Sequence, residues 1–137
     1  MSQVRGLLLA AGLGTRLRPL TDHWPKCLMP IGERPLLEYW LETIWRAGMR
    51  EALVNLHYLP EIVEEFLERP RFRDWVRAVK ETELLGTAGT LLSNIEYFEG
   101  GLGILIHADN YTEIDLTHLI IAHSNKPSDC LITMLTF

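Results

Sequence analysis

The sequence predicts an α/β fold: a mostly parallel sheet with helices on both faces. Three observations lead there. Apolar runs of strand length occupy residues 4–10 and 102–107, weaker strand candidates lie at 51–56 and 75–80, and amphipathic segments of helical period fill the intervals. Alternation of this kind implies right-handed crossovers and a ligand site at the carboxyl ends of the strands. A length of 137 residues suits one domain, and 47% hydrophobic residues can supply its core.

Each element has its own signal. The first strand, VRGLLLA, is too short to span a bilayer and runs into Gly and Arg, so it reads neither as an anchor nor as an export signal. In residues 36–47, Leu37, Trp40, Leu41 and Ile44 recur at i, i+3, i+4 and i+7, and Gly48 follows as a stop, which predicts a helix. Pro60 can open a second helix with Ile62, Val63, Phe66 and Leu67 on its apolar face. Residues 86–95 and 115–124 read as two more helices, and 130–137 as a further strand. The net charge of −5 disfavours a nucleic-acid or anionic-membrane surface, and two distant cysteines, Cys27 and Cys130, suit a reducing cytoplasm.

The connection between the first strand and the first helix is unusually long, since strand-to-helix loops of such units usually hold about 2 to 6 residues. Pro19, Pro25, Pro30 and Pro35 stiffen it, and Leu17, Leu20, Trp24, Leu28 and Met29 offer apolar anchors. From Ala11 to Pro30 it carries Arg16, Arg18 and Lys26 against Asp22 alone, in a chain that is acidic elsewhere. Its GLGTRL lacks the third glycine of a dinucleotide fingerprint, because position 17 is Leu, and lacks the Gly-Lys-Ser/Thr of a P-loop. What remains is a glycine turn whose amides can approach phosphate oxygens, followed by cations that neutralise them. That chemistry suits a nucleoside triphosphate.

Longer matches sharpen this reading. LAAGLGTRLRPLT followed by PKCLMPIGERPLLEY resembles the signature of the sugar-1-phosphate nucleotidyltransferases, also called nucleotide-sugar pyrophosphorylases. ETELLGTAGTL is similar to that family's base and ribose loop, and ILIHADN to the strand that ends in its metal-binding aspartate. The resemblance implies a Rossmann-like fold in which residues 1–137 form a nucleotide-binding domain, the N-terminal portion of a longer one. It also implies an Mg²⁺-dependent reaction in which a sugar 1-phosphate attacks the α-phosphorus of an NTP and pyrophosphate leaves. The backbone of Leu9, Ala10, Ala11, Gly12, Gly14 and Thr15 would then hold base and phosphates. Arg16 would bind the triphosphate and assist the leaving group, Lys26 would contact the α-phosphate region, and Asp109 would hold Mg²⁺. Glu81, Gly86, Thr87 and Ala88 would face the base and sugar. In-line attack between phosphates gathers negative charge, so alignment and electrostatic stabilisation are the main tasks, and no protein nucleophile is needed.

Blander roles compete at several positions. Arg18 could only brace the loop, Asp109 could cap a turn beside Asn110, and His57 and His107 could be satisfied structural residues. Cys27 reads as packing, and Trp40 and Trp45 as packing or, if exposed, as a contact in a homo-oligomer. Two departures from the family pattern stand out. Ala108 replaces the glycine often found before the metal aspartate, and the family's sugar-phosphate lysine and second metal aspartate are not met by Phe137. The 137 residues alone are therefore expected to bind nucleotide weakly and to catalyse poorly. A non-catalytic sensor of the same fold is the alternative, but Arg16, Lys26 and Asp109 together favour an enzyme. A carboxylate at Glu81 could accept hydrogen bonds from guanine N1 and N2, which leans toward GTP and leaves UTP and dTTP open.

Overall fold

The computed structural model describes residues 3–136. Its main sheet holds four parallel strands in the order β5-β4-β1-β6, formed by β1 (Val4–Leu9), β4 (Ala52–Leu56), β5 (Val76–Lys80) and β6 (Leu102–His107). A two-stranded ribbon of β2 (Pro30–Ile31) and β3 (Arg34–Pro35) lies in the connection after β1. Helices α1 (Leu36–Arg46), α2 (Pro60–Leu67), α3 (Gly86–Ser93) and α4 (Leu116–Ser124) complete the fold.

Two glycines on adjacent strands identify the two faces. Arg5 pairs with Gly103 and Gly6 with Ile104, so Gly6 and Gly103 point to opposite sides. A side chain at Gly6 would meet Ile44 of α1, whereas one at Gly103 would meet Phe98, in the short turn after α3. Helix α1 therefore covers one face and the α3 region the other, as the alternating pattern predicts. Leu37, Leu41 and Ile44 of α1 are fully buried together with Leu8 and Val54 of the sheet. On α2, Val63, Phe66 and Leu67 are buried, and Glu64 reaches Lys80 of β5 at 2.8 Å.

Element boundaries follow capping chemistry. Pro60 opens α2 at its first turn, where a missing N–H costs nothing, and Asp115 caps α4 by accepting from Thr117 N–H at 2.8 Å. Helix α3 ends at Ser93, and residues 95–98 tighten into a 3₁₀ turn. The long loop is more structured than its sequence suggests: three 3₁₀ turns at Thr15–Leu17, Leu20–Asp22 and Lys26–Leu28 precede the ribbon.

One expectation fails. Residues 130–136 form no strand, and Phe137 lies outside the described residues. Among the described residues no strand pairs with this segment, and Leu131, Ile132 and Met134 are at least three-quarters exposed. An apolar, β-branched run has strand propensity, but without a partner ladder the propensity is not realised.

Among the described residues no helix is long and apolar enough to cross a membrane. Truncating Leu41 to alanine should cost about 2–5 kcal/mol by leaving a void between α1 and the sheet, read as a lower midpoint in urea denaturation.

Candidate functional site

The carboxyl ends of all four parallel strands meet at one cavity of about 250 Å³. Leu9 ends β1, His107 ends β6, Asn55 is next to last in β4, and Glu81 follows β5; all four line the cavity. This is the crevice where strand order reverses about β1, the usual ligand position in open parallel sheets.

One wall is the turn after β1. Leu9 O accepts from Ala108 N–H at 3.1 Å, and Ala10 N–H donates to Asn55 Oδ1 at 2.6 Å, so the strand's last ladder groups are satisfied. The amides of Ala11, Gly12, Leu13 and Gly14 find no acceptor among the described residues. A run of free amides at a strand end is a ready anion cradle. Gly12 meets nothing within 4 Å of where a Cβ would stand, so its missing side chain keeps space open beside the cavity it lines. Gly14 has a different reason. Its φ is +65°, and an added Cβ would stand 2.7 Å from Thr21 Cγ2. Thr21 is buried, and its hydroxyl donates to Gly14 O at 2.6 Å, while Tyr58 Oη donates to Thr21 O at 2.7 Å. The turn is thus clamped from the β4–α2 connection.

Opposite charges face each other beside it. Lys26 Nζ lies 3.0 Å from Asp109 Oδ2, joining two residues 83 positions apart. Lys26 is held by the buried turn that carries Cys27 and Leu28, with Trp24 Nε1 donating to Leu28 O at 3.0 Å. Asp109 is steadied from α1: Trp40 Nε1 donates to Asn110 O at 2.8 Å, and Tyr39 packs edge-on against Tyr111. Trp40 therefore braces the site as well as the core, a role its helical periodicity does not reveal. Arg16 is exposed on the first 3₁₀ turn and has no side-chain partner among the described residues. Arg18 pairs with Asp22 at 3.5 Å in solvent, a loop brace.

The far wall comes from β5 and α3. Glu81 is buried, and Oε1 accepts from Asn55 Nδ2 at 3.1 Å and from the Thr90 hydroxyl. Among the described residues its Oε2 receives only a 3.4 Å contact, from Leu85 N–H. Gly86, with φ +71°, and Thr87 line the cavity from the first turn of α3. The structure thus brings together Leu9, Ala10, Ala11, Gly12, Lys26, Glu81, Gly86, Thr87 and Asp109. Gly14, Thr15, Arg16 and Ala88 are outside the cavity lining. Asn55 and Thr90 escaped the sequence reading. For Asn55 the signal was available: a carboxamide inside ALVNL, a strand otherwise wholly apolar. Thr90 had none, since threonine is unremarkable in a helix.

His107 is exposed and lines the cavity, while His57 and Cys27 behave structurally. His57 Nδ1 is 2.8 Å from the Glu81 carbonyl oxygen and ties β4 to the segment after β5. Burial pushes the Cys27 thiol up to about 12, leaving it a packing group at neutral pH. Among the described residues no three His, Cys, Asp or Glu side chains gather into a metal cluster. Asp109 is a single, half-exposed carboxylate at a strand end. That donor set fits Mg²⁺, which keeps several waters and takes further oxygens from phosphates.

A parallel sheet with this switch point, an amide turn and a facing Lys–Asp pair at its carboxyl edge defines an open α/β protein with its crevice at the strand ends. The profile of the nucleotidyl transferase family matches residues 5–137, and the chain belongs to that family. It is 31% identical over 134 residues to the probable mannose-1-phosphate guanylyltransferase 3 of Oryza sativa subsp. japonica, across 94% of this chain and 37% of the rice protein. Among solved structures, the CTP:phosphocholine cytidylyltransferase LicC of Streptococcus pneumoniae is similar at 32% identity and a TM-score of 0.71. That match covers 83% of this chain and 48% of LicC. HddC of Yersinia pseudotuberculosis, complexed with GMP-PN, is similar at 28% identity and a TM-score of 0.75, over 91% of this chain and 55% of HddC. The chain thus spans between about a third and a little over half of these relatives.

The two loop glycines should separate by stability. Gly14→Ala should cost about 1–3 kcal/mol from the left-handed backbone and the Thr21 clash, whereas Gly12→Ala should stay within about 0.5 kcal/mol, both read by thermal melting. Thiol labelling at neutral pH should modify exposed Cys130 and spare Cys27.

Proposed function

We propose that this chain carries the nucleotide-binding part of an enzyme that transfers an NMP group from an NTP to a sugar 1-phosphate, releasing pyrophosphate. The observation that carries the proposal is the turn of unpaired amides at Ala11–Gly14 with Lys26 and Asp109 beside it, all at the carboxyl edge of one sheet. A triphosphate laid on that turn would meet amide N–H groups rather than side-chain bulk, because Gly12 presents none. Arg16, exposed and uncommitted among the described residues, is free to swing onto the β- and γ-phosphates and to stabilise charge on departing pyrophosphate. Lys26 would exchange its pairing with Asp109 for the α-phosphate, where charge builds during attack.

Mg²⁺, held by Asp109 and substrate oxygens, would neutralise phosphate charge when bound. Alignment does the rest: the oxygen of the sugar phosphate is the nucleophile, and the fixed cations and amides hold the α-phosphorus for in-line attack.

Glu81 supports guanine. Its Oε2 retains acceptor capacity in the cavity, and the Watson–Crick edge of guanine offers two adjacent donors, N1–H and the N2 amino group. The relatives named guanylyltransferase and the GMP-PN complex point the same way, so GTP is the nucleotide we favour. LicC is named for CTP, which accords with a shared phosphate site and a variable base pocket. A cytoplasmic setting agrees with two free thiols.

The test is pyrophosphate release with Mg²⁺ and GTP against a panel of sugar 1-phosphates, using the full natural chain. Lys26→Met and Asp109→Asn should each lower kcat by about 10²–10³, while Arg18→Ala, a solvent-exposed brace, should stay within about threefold of wild type. Equal losses at Arg18 and Lys26 would contradict these assignments. Thermal stabilisation by GTP without turnover on any sugar phosphate would favour a sensor over an enzyme.

A further inference from the structure

Asn55 is the polar residue of β4, 3% exposed, and its carboxamide is committed at both ends. Oδ1 accepts from Ala10 N–H at 2.6 Å, at the root of the amide turn. Nδ2 donates to Glu81 Oε1 at 3.1 Å and approaches Thr90 Oγ1 at 3.3 Å. These partners fix its orientation: a flipped amide would set NH₂ against N–H and oxygen against carboxylate. Among the described residues it is the side chain that hydrogen-bonds both the β1 wall and the Glu81 wall of the cavity.

We infer that Asn55 is a specificity-determining positioning residue, which holds the Glu81 carboxylate in fixed register with the amide turn. The inference rests on the nucleotide reading of the cavity. A base and its phosphates belong to one ligand, so the acceptor that meets the base discriminates only if its distance from the phosphate cradle is fixed. Thr90 completes the device by donating its hydroxyl to the same Glu81 oxygen. With Oε1 held by two donors, Oε2 is left to accept from the base. Guanine presents donors there, whereas adenine presents its N1 acceptor, and a carboxylate that cannot turn away rejects it. A mobile carboxylate would lose that rejection while the phosphate contacts persisted.

The experiment is calorimetric binding of GTP and ATP with Mg²⁺ to the full chain, for wild type, Asn55→Asp and Thr90→Val, with melting curves for each. Asn55→Asp keeps an acceptor for Ala10 N–H but sets a second carboxyl against Glu81. Its added charge weakens every nucleotide alike, so the readout is the ratio of GTP to ATP affinity. That ratio should fall by about tenfold or more in both variants. Thr90→Val removes one donor from Glu81 and leaves the Asn55–Ala10 bond, so it carries the same test should Asn55→Asp fail to fold. Parallel losses of GTP and ATP affinity at an unchanged ratio would reduce Asn55 to a structural role and overturn the inference. Wild type that binds both nucleotides equally would overturn it while sparing the nucleotide site. Wild type that binds neither would remove both.

Discussion

The pairing of β1 with β4 on one side and β6 on the other is the constraint on which the rest depends. Because both ladders are parallel, four strands end at the same edge. Because the chain leaves β1 toward β4 and returns beyond it to β6, the covering helices fall on opposite faces and leave a crevice between them. The walls of the site come from distant parts of the sequence for this reason: Lys26, Asn55, Glu81 and Asp109 converge only through strand order. Burial of Leu7, Leu8 and Val54 at no measurable exposure holds that order.

On this frame the long loop resolves an electrostatic difficulty. A polyanion site needs several cations close together, and cations repel one another and cannot be buried unpaired. The loop spreads them: Arg18 is neutralised by Asp22 in solvent, Lys26 is held by Asp109, and Arg16 stays in water. Only Lys26 is committed inside the cavity, and its partner is the residue that fits a divalent cation. Ligand and metal together would therefore replace one ion pair by two better-matched ones, with the buried turn at Cys27 and Leu28 unchanged.

Much of this was legible in the sequence, for identifiable reasons. Strands β1 and β6 and helices α1 and α2 are dictated by local periodicity and by proline and glycine at their ends, and each lies within a residue or so of where the pattern puts it. The glycine turn and Lys26 stood out as chemistry in the wrong place for packing, whereas Asp109 was singled out by the resemblance of ILIHADN to a known strand end. What stayed hidden was set by tertiary contact. The second and third 3₁₀ turns of the loop carry the buried Thr21, Cys27 and Leu28, and Cys27 and Leu28 join the core, which no local pattern announces. Trp40 reads as core and also holds Asn110; Asn55 and Thr90 matter only because β4, β5 and α3 converge. Residues 130–136 erred in the other direction, with strand chemistry but no strand to join.

On the proposed reading, the free amides after β1 form the phosphate cradle. Amide NMR of the ¹⁵N-labelled chain, titrated with GTP and Mg²⁺, addresses it residue by residue. Ala11, Gly12, Leu13 and Gly14 should show the largest shifts, with Gly86 and Thr87 following on the opposite wall. Saturable shifts that leave Ala11–Gly14 unmoved and appear elsewhere on the surface would contradict it.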